Sequence, residues 1–308
     1  MSDSPNKMSD KWKLVTKSVR GVSHDRKALP NQDSVFQYVG DEIIVLAVSD
    51  GHGSSKCFYS EFGSKHAVQV CVDELKLFYE QVCKVDTNSD YFLEKKFVEI
   101  LPQRIYKRWM EENKKHWEAN PVTIDFLRAR PSLDRDMVYE IIYGSSDKFM
   151  AEAYGATLLA VLITPEFMFG VQIGDGDSIE CGSDFQFSYA IPKDPNLFGN
   201  ETTSLCMKNA EKYFRTMFKA LKKNNRPNVV MLSSDGFSNS YSSDDLFFND
   251  LKECYVGTVR EWGVECLEKN LEEWLRTASR DGSGDDITAG FIFHDSILPH
   301  CSKTEQNQ

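Results

Sequence analysis

Four times in this chain an apolar, strand-like run meets an aspartate beside glycine or another small residue. LAVSDGHG carries Asp50, FGVQIGDGD carries Asp175, MLSSDGFS carries Asp235, and in SGDDITAGFIF both Asp285 and Asp286 precede the run. One Asp-Gly pair at a strand end is ordinary turn chemistry. Four of them constrain the fold far more, because carboxylates held together at the ends of buried strands repel and must be neutralised by protons or cations. EIIVLAVSD (42–50) is the sharpest case: a short, β-branched run typical of a strand buried on both faces, leading straight into Asp50-Gly51-His52-Gly53.

Hard oxygen donors without a cysteine or histidine cluster point to Mg²⁺ or Mn²⁺ in octahedral geometry. A two-metal centre is the economical version, with one aspartate bridging ions that share a water and lower its pKa. Calcium is excluded at DGSGDD (281–286), because Asp286 stands where an EF-hand loop needs glycine and Ile292 where it needs glutamate. GDGDS (174–178) has neither a complete Gly-x-Gly-x-x-Gly nor a Walker lysine, so it is not a nucleotide loop.

With 308 residues and 41% hydrophobic side chains, the chain can bury one large core or two modest ones. No window approaches the roughly 18 consecutive apolar residues of a membrane span, and MSDSPNKMSDKWK lacks the apolar core of a signal peptide, so the expected location is the cytoplasm, away from membranes. Eight cysteines without a Cys-x-x-Cys pair read as reduced, mostly buried thiols. A net charge of −11 argues against a nucleic-acid partner, and the short basic cluster KALKKNNR (219–226) reads as the end of a helix.

WKLVTKSV (12–19), SVFQYVG (34–40), EIIVLAVSD (42–50), LLAVLIT, FMFGVQI, VVMLSSD (229–235) and ITAGFIF (287–293) read as strands, with Pro165-Glu166 as the turn of a meander over 153–182. Helical spacing runs from Lys56 to Val82, with Phe58, Phe62, His66, Val70 and Leu77 on one face. YFLEKKFVEILPQRIYKRWMEENKKHW (91–117) reads as a helix broken at Pro102, and AEKYFRTMFKALKK and ECLEKNLEEWLRTAS (265–279) as helices. Antiparallel strands with inserted helices predict an α+β layered architecture. Without a repeat or low-complexity linker, one domain over 1–308 is the better count, with its core at about 12–294, a helical excursion at about 84–150, and a looser flap-like stretch at about 191–226.

NQDSVF (31–36), VSDGHG (48–53), YGATLLAVLI (154–163), VQIGDGDSI (171–179), VVMLSSDGF (229–237) and GDDITAGFIF (284–293) together resemble, in family order, the metal-dependent serine/threonine protein phosphatases of type 2C, the PPM family. GVSHDRKALPNQD is similar to a divergent bacterial branch. The resemblance implies two antiparallel β-sheets packed as a sandwich with helices on both outer sides, a four-layer α-β-β-α fold. It implies that Asp50 bridges two Mn²⁺ or Mg²⁺ ions, that Gly51 offers its carbonyl to one, and that Asp235 and Asp285 complete the other. Asp33 would lie behind the ligands, Asp175 would hold a third, weaker ion, and His52 would be the general acid that protonates the leaving serine or threonine oxygen.

The implied reaction is in-line hydrolysis of a phosphoserine or phosphothreonine protein by a metal-activated water, opposing a serine/threonine kinase. The arginine that binds substrate phosphate in many members falls here on Ala28, leaving Arg26 and Lys27 as the nearest cations, with His24 in a polar loop expected to be exposed. Gln32 stands in place of a glutamate that usually meets a metal-bound water, and Asp286 where asparagine is frequent. Two other readings stand beside the phosphatase. One is a pseudophosphatase or sensor module that binds a partner, and the other a phosphohydrolase of a small metabolite.

Overall fold

The computed structural model describes residues 7–83, 90–130, 133, 139, 147–195, 202–222 and 225–299. Among the described residues, ten strands form two antiparallel sheets. In chain order they are β1 Trp12–Val19, β2 Ser34–Val39, β3 Ile44–Ser49, β4 Leu158–Ile163, β5 Phe167–Ile173, β6 Asp177–Cys181, β7 Phe187–Tyr189, β8 Arg215–Ala220, β9 Val229–Ser233 and β10 Ile287–His294. One sheet has the order β1-β10-β9-β6-β7 and the other β2-β3-β4-β5-β8.

Alternation along β3 shows how the layers are built. Ile44, Leu46 and Val48 point between the sheets, where they meet Leu159 and Val161 of β4 and Trp12, Leu232 and Ile292 of the opposing sheet. Val45 and Ala47 point outward, into a cluster with the helices Ser60–Phe78 and Asp90–Ala119. A third cluster joins the outer face of the β1-β10-β9-β6-β7 sheet to Leu267, Leu271 and Leu275 of the helix Val264–Asp281. Every strand of the sandwich centre is therefore buried on both faces, which is why β3, β4 and β5 read as continuous apolar runs. The architecture is the α+β sandwich flanked by helices that the sequence led us to expect.

Three elements differ from expectation. The stretch read as a helix over AEKYFRTMFKALKK is a short 3-10 turn, Ala210–Lys212, followed by β8, which pairs with β5. Phe214 and Phe218 pack toward the outer cluster, while Met217 and Leu221 pack toward the inter-sheet core. An apolar pair on each face of a strand gives the same three- and four-residue spacing as one face of a helix, and the sequence pattern cannot separate them. Lys219 accordingly lies on a strand, where its Nζ pairs with both carboxylate oxygens of Glu180 at 2.9 and 2.8 Å, and KALKKNNR does not close a helix.

The helix Asp90–Ala119 runs through Pro102 without a break. A proline inside a helix removes one backbone hydrogen bond. The loss is offset by a buried stripe at Phe97, Leu101, Ile105 and Trp109, spaced by one turn, that seats the helix on Ser60–Phe78. On Ser60–Phe78 the buried face is Ala67, Val68, Cys71, Val72, Leu75 and Phe78, whereas Leu77 is exposed. Six cysteine side chains are described, all unpaired; three are buried and Cys254 is exposed.

Gly63 sets how closely this helical layer approaches the sheet. A Cβ there would overlap the backbone oxygen of Tyr154, and the Gly63 carbonyl accepts from Trp109 Nε1 at 2.9 Å. Neither neighbour can rotate away, so Gly63→Ala is expected to destabilise the fold by about 2–3 kcal/mol. A urea unfolding curve within about 0.5 kcal/mol of wild type would contradict this packing.

Candidate metal and phosphoryl-transfer site

Antiparallel register gathers the aspartates. Ser34 pairs with Ser49, so Asp33, just before β2, lies beside Asp50, just after β3. Ser233 pairs with Ala289 and with Asp177, which sets Asp235 after β9 near Asp285 and Asp286 before β10 and near the Gly174-Asp175-Gly176 turn before β6. Within one sheet, Thr157 N donates to the Asp50 carbonyl at 2.8 Å while Thr157 Oγ1 accepts from Asp50 N at 3.0 Å, and between the sheets Ser234 Oγ donates to Asp33 Oδ2 at 2.7 Å.

Asp33 is buried, Asp50, Asp175 and Asp235 are partly exposed, and Asp285 is exposed. Burial first, then the neighbouring carboxylates, raises Asp33 to about 8 and Asp235 to about 6 and holds Asp50 well above the usual aspartate range. Asp235 is among the causes that raise Asp50, so the two carboxyl groups titrate together and not independently. Among the described residues no lysine, arginine or histidine pairs with Asp33, Asp50 or Asp235, and buried Asp33 Oδ1 has no hydrogen-bond partner.

In this arrangement no three described histidine, cysteine or acidic side chains converge tightly enough to enclose an ion. The donor set nevertheless fits a hard divalent cation. It consists only of oxygens, and its carboxyl groups raise one another's pKa, a repulsion that a cation would relieve. Gly51 is needed for close packing in its own right, since a Cβ there would lie 2.5 Å from the Gln32 carbonyl oxygen and 2.8 Å from that of Ser60.

Behind the carboxylates lies a second layer whose roles the sequence did not disclose. His24 is buried, not exposed, and faces Asp286: His24 Nδ1 lies 2.9 Å from Asp286 Oδ2, and Nε2 lies 3.6 Å from Asp285 Oδ1. The Asp286 carboxylate beside it raises the His24 pKa. Asp286 also accepts from Gly21 N and Gln32 N, both at 2.7 Å, so its charge is spent on the loop and does not compensate for Gln32 at the site. Gln32 itself turns away, its Nε2 donating to Ser60 Oγ at 2.5 Å and to the His52 carbonyl at 3.4 Å.

His52 is partly exposed, with Nε2 2.7 Å from Ser204 Oγ. Burial lowers its pKa, and the charge of Asp175 opposes that shift. Arg26 and Lys27 are exposed at the end of the helix Val22–Lys27, and neither forms an ion pair among the described residues. Arg20 is taken by Asp25. Ser204 had no signal in the sequence beyond neighbouring threonines, whereas Thr157 and Ser234 lay within the quoted YGATLLAVLI and VVMLSSDGF motifs.

The family model for protein phosphatase 2C matches residues 20–276, a span that includes Asp33, Asp50, His52, Asp175 and Asp235. The chain belongs to the protein phosphatase 2C family. Its fold is similar to the Mycobacterium tuberculosis serine/threonine phosphatase PstP/Ppp, at 15% identity and a TM-score of 0.50, covering 94% of this chain and 100% of that one. It is similar to the Streptococcus agalactiae (S. agalactiae) serine/threonine phosphatase, at 15% identity and a TM-score of 0.53, over 92% and 100% of the two chains. A Caenorhabditis elegans (C. elegans) sex determining protein shares the fold at 16% identity and a TM-score of 0.52, over 94% of this chain and 65% of that one. No curated protein matches the chain in sequence. No described helix is long and apolar enough to cross a membrane.

Proposed function

We propose that this protein is a divalent-metal-dependent phosphatase of phosphoserine and phosphothreonine in proteins, opposing a serine/threonine kinase in the cytoplasm, with one catalytic domain spanning about 12–294. The observation that carries the reading is that strand register brings Asp33, Asp50, Asp175, Asp235 and Asp285 to one end of the sandwich, where burial and mutual repulsion raise Asp33, Asp50 and Asp235. Family membership supports it. Asp50 with the Gly51 carbonyl, Asp235 and Asp285 would hold two Mn²⁺ or Mg²⁺ ions, Asp33 would support them from behind, and Asp175 would hold a third. Bound there, such ions supply a water of lowered pKa and stabilise charge on phosphoryl oxygens.

The chain's own groups do the rest. His52 donates a proton to the departing serine or threonine oxygen, and its lowered pKa makes that proton easier to release at neutral pH. Arg26 and Lys27 meet the substrate phosphate from the solvent side. Their exposure, with no ion pair among the described residues, is also what favours the second reading, a binding module with weak catalysis.

The test is phosphate release from a mixed phosphoserine and phosphothreonine peptide pool with Mn²⁺ or with a chelator. Release that needs the metal and is lost in Asp235→Asn is expected. A folded, metal-loaded wild type that releases none would give the lead to the binding module.

A second expectation concerns pH. The folded values of Asp33 and Asp235, about 8 and about 6, lie above the ordinary 3.8. Between about pH 4 and pH 8 the folded, metal-free chain therefore binds more protons than the unfolded chain, and its stability falls as pH rises. The Tm of chelated protein should drop between about pH 5 and pH 8, and saturating Mn²⁺ should raise it most at the upper end. A Mn²⁺ shift of equal size across that range would contradict the charge argument.

A further inference from the structure

We propose that Ser204 is a positioning residue that fixes which nitrogen of His52 carries the permanent proton, and so aims the other at the leaving group. The inference rests on the phosphatase reading above. Ser204 is buried, and its Oγ lies 2.7 Å from His52 Nε2 and 3.1 Å from the Ala156 carbonyl oxygen. Oγ accepts from Cys206 N at 3.3 Å and lies 3.2 Å from Cys206 Sγ; with its single proton directed at the Ala156 carbonyl oxygen, which can only accept, Oγ is left to accept from Nε2–H. His52 Nδ1 has no hydrogen-bond partner among the described residues and is the nitrogen open to a substrate.

The segment around Ser204 is pinned on both sides. Thr203 Oγ1 accepts from Gly174 N at 2.9 Å, which ties it to the turn bearing Asp175. Leu205 N donates to the Ala156 carbonyl at 2.9 Å, and the Leu205 side chain is fully buried. His52 is held from its own side as well: its N–H donates to the Gly155 carbonyl at 3.0 Å, and a Cβ on Gly155 would come within 2.7 Å of His52 Cδ2. The ring thus packs on bare glycine backbone, with one nitrogen fixed and one free.

Such a hold suits a general acid. As the bond from phosphorus to the leaving oxygen breaks, the Nδ1 proton passes to that oxygen, and neutral imidazole remains with Nε2 still protonated. Water supplies the oxygen of the new bond to phosphorus; one of its protons stays on phosphate and the other restores His52. Because Nε2–H persists throughout, the ring need not reorient between turnovers, as in other sites where a partner fixes the imidazole tautomer.

The test separates proton donation from packing through the leaving group. Phenyl phosphate needs a proton on its departing oxygen, whereas p-nitrophenyl phosphate departs readily as an anion. His52→Ala should lower kcat on phenyl phosphate about 10²-fold more than on p-nitrophenyl phosphate. Ser204→Ala should show the same selectivity at about tenfold, Ser204→Thr should restore it, and the double variant should lose no more than His52→Ala alone. Equal losses on both substrates for Ser204→Ala would assign the residue to packing and overturn the inference; equal losses for His52→Ala would overturn the acid role with it.

Heteronuclear NMR of histidine-labelled, metal-free protein reads the tautomer without turnover, with the His52 signal assigned by its loss in His52→Ala. A single Nε2–H form in wild type that becomes a mixture in Ser204→Ala supports the inference even in a chain that releases no phosphate, a result that would count against the phosphatase reading alone. A mixture in wild type would overturn the inference whatever the activity.

Discussion

Asp50→Asn is expected to abolish metal-dependent phosphate release while leaving the metal-free chain folded and more heat-stable than wild type at about pH 8. The two effects have one cause. Asp50 sits among Asp33, Asp235 and Asp285, and burial together with these neighbours holds its carboxyl well above the ordinary range. Asparagine keeps the shape and removes the charge, so the apo protein loses a repulsion, and in the proposed reading the site would lose a carboxylate needed to hold the ions. A loss of about 10³-fold in kcat, equivalent to about 4 kcal/mol of barrier, is the expected scale. Activity within about tenfold of wild type would remove Asp50 from the centre of the reaction. A lower apo Tm would show that its charge is compensated in a way the described residues do not reveal.

Asp286→Ala is expected to carry the largest stability cost of any substitution near the site, about 3–5 kcal/mol by urea unfolding. Asp286 is buried, accepts from Gly21 N and Gln32 N and lies 2.9 Å from His24 Nδ1, so alanine would orphan two backbone donors and remove the partner of the imidazole. Asp286→Asn retains one acceptor oxygen and should cost about half as much. The pair also sets a pH dependence. The His24 pKa is raised above its ordinary 6.5, so its contribution to stability is complete below about pH 6.5 and is lost as pH rises through the folded value. In Asp286→Ala that dependence should vanish, and a variant that keeps it would place the titration elsewhere.

Much of the fold was legible because its signals are local. β3, β4, β5, β9 and β10 are apolar runs flanked by Asp-Gly or Pro-Glu turns, and their ends announce the aspartates. The failures share a different cause. Arg215–Ala220 packs on both faces, which copies a helical spacing, and Pro102 survives inside a helix because of a buried stripe that docks on another element. The supporting layer was illegible for the same reason. Asp286 meets Gly21 across 265 residues of chain, and His52 meets Ser204 across 152. No local pattern could show that His24 is buried against a carboxylate, or that Gln32 faces a serine instead of the site.

The central claim is that these strand-end aspartates hold divalent ions for phosphoryl transfer, and its most direct test is a Mn²⁺ titration followed by electron paramagnetic resonance on wild type, Asp50→Asn and Asp235→Asn. The account predicts a magnetically coupled pair of ions in wild type that both substitutions break, with phosphate release rising as the coupled signal appears. Wild-type protein that binds no Mn²⁺, or binds it equally well without Asp50, would contradict it.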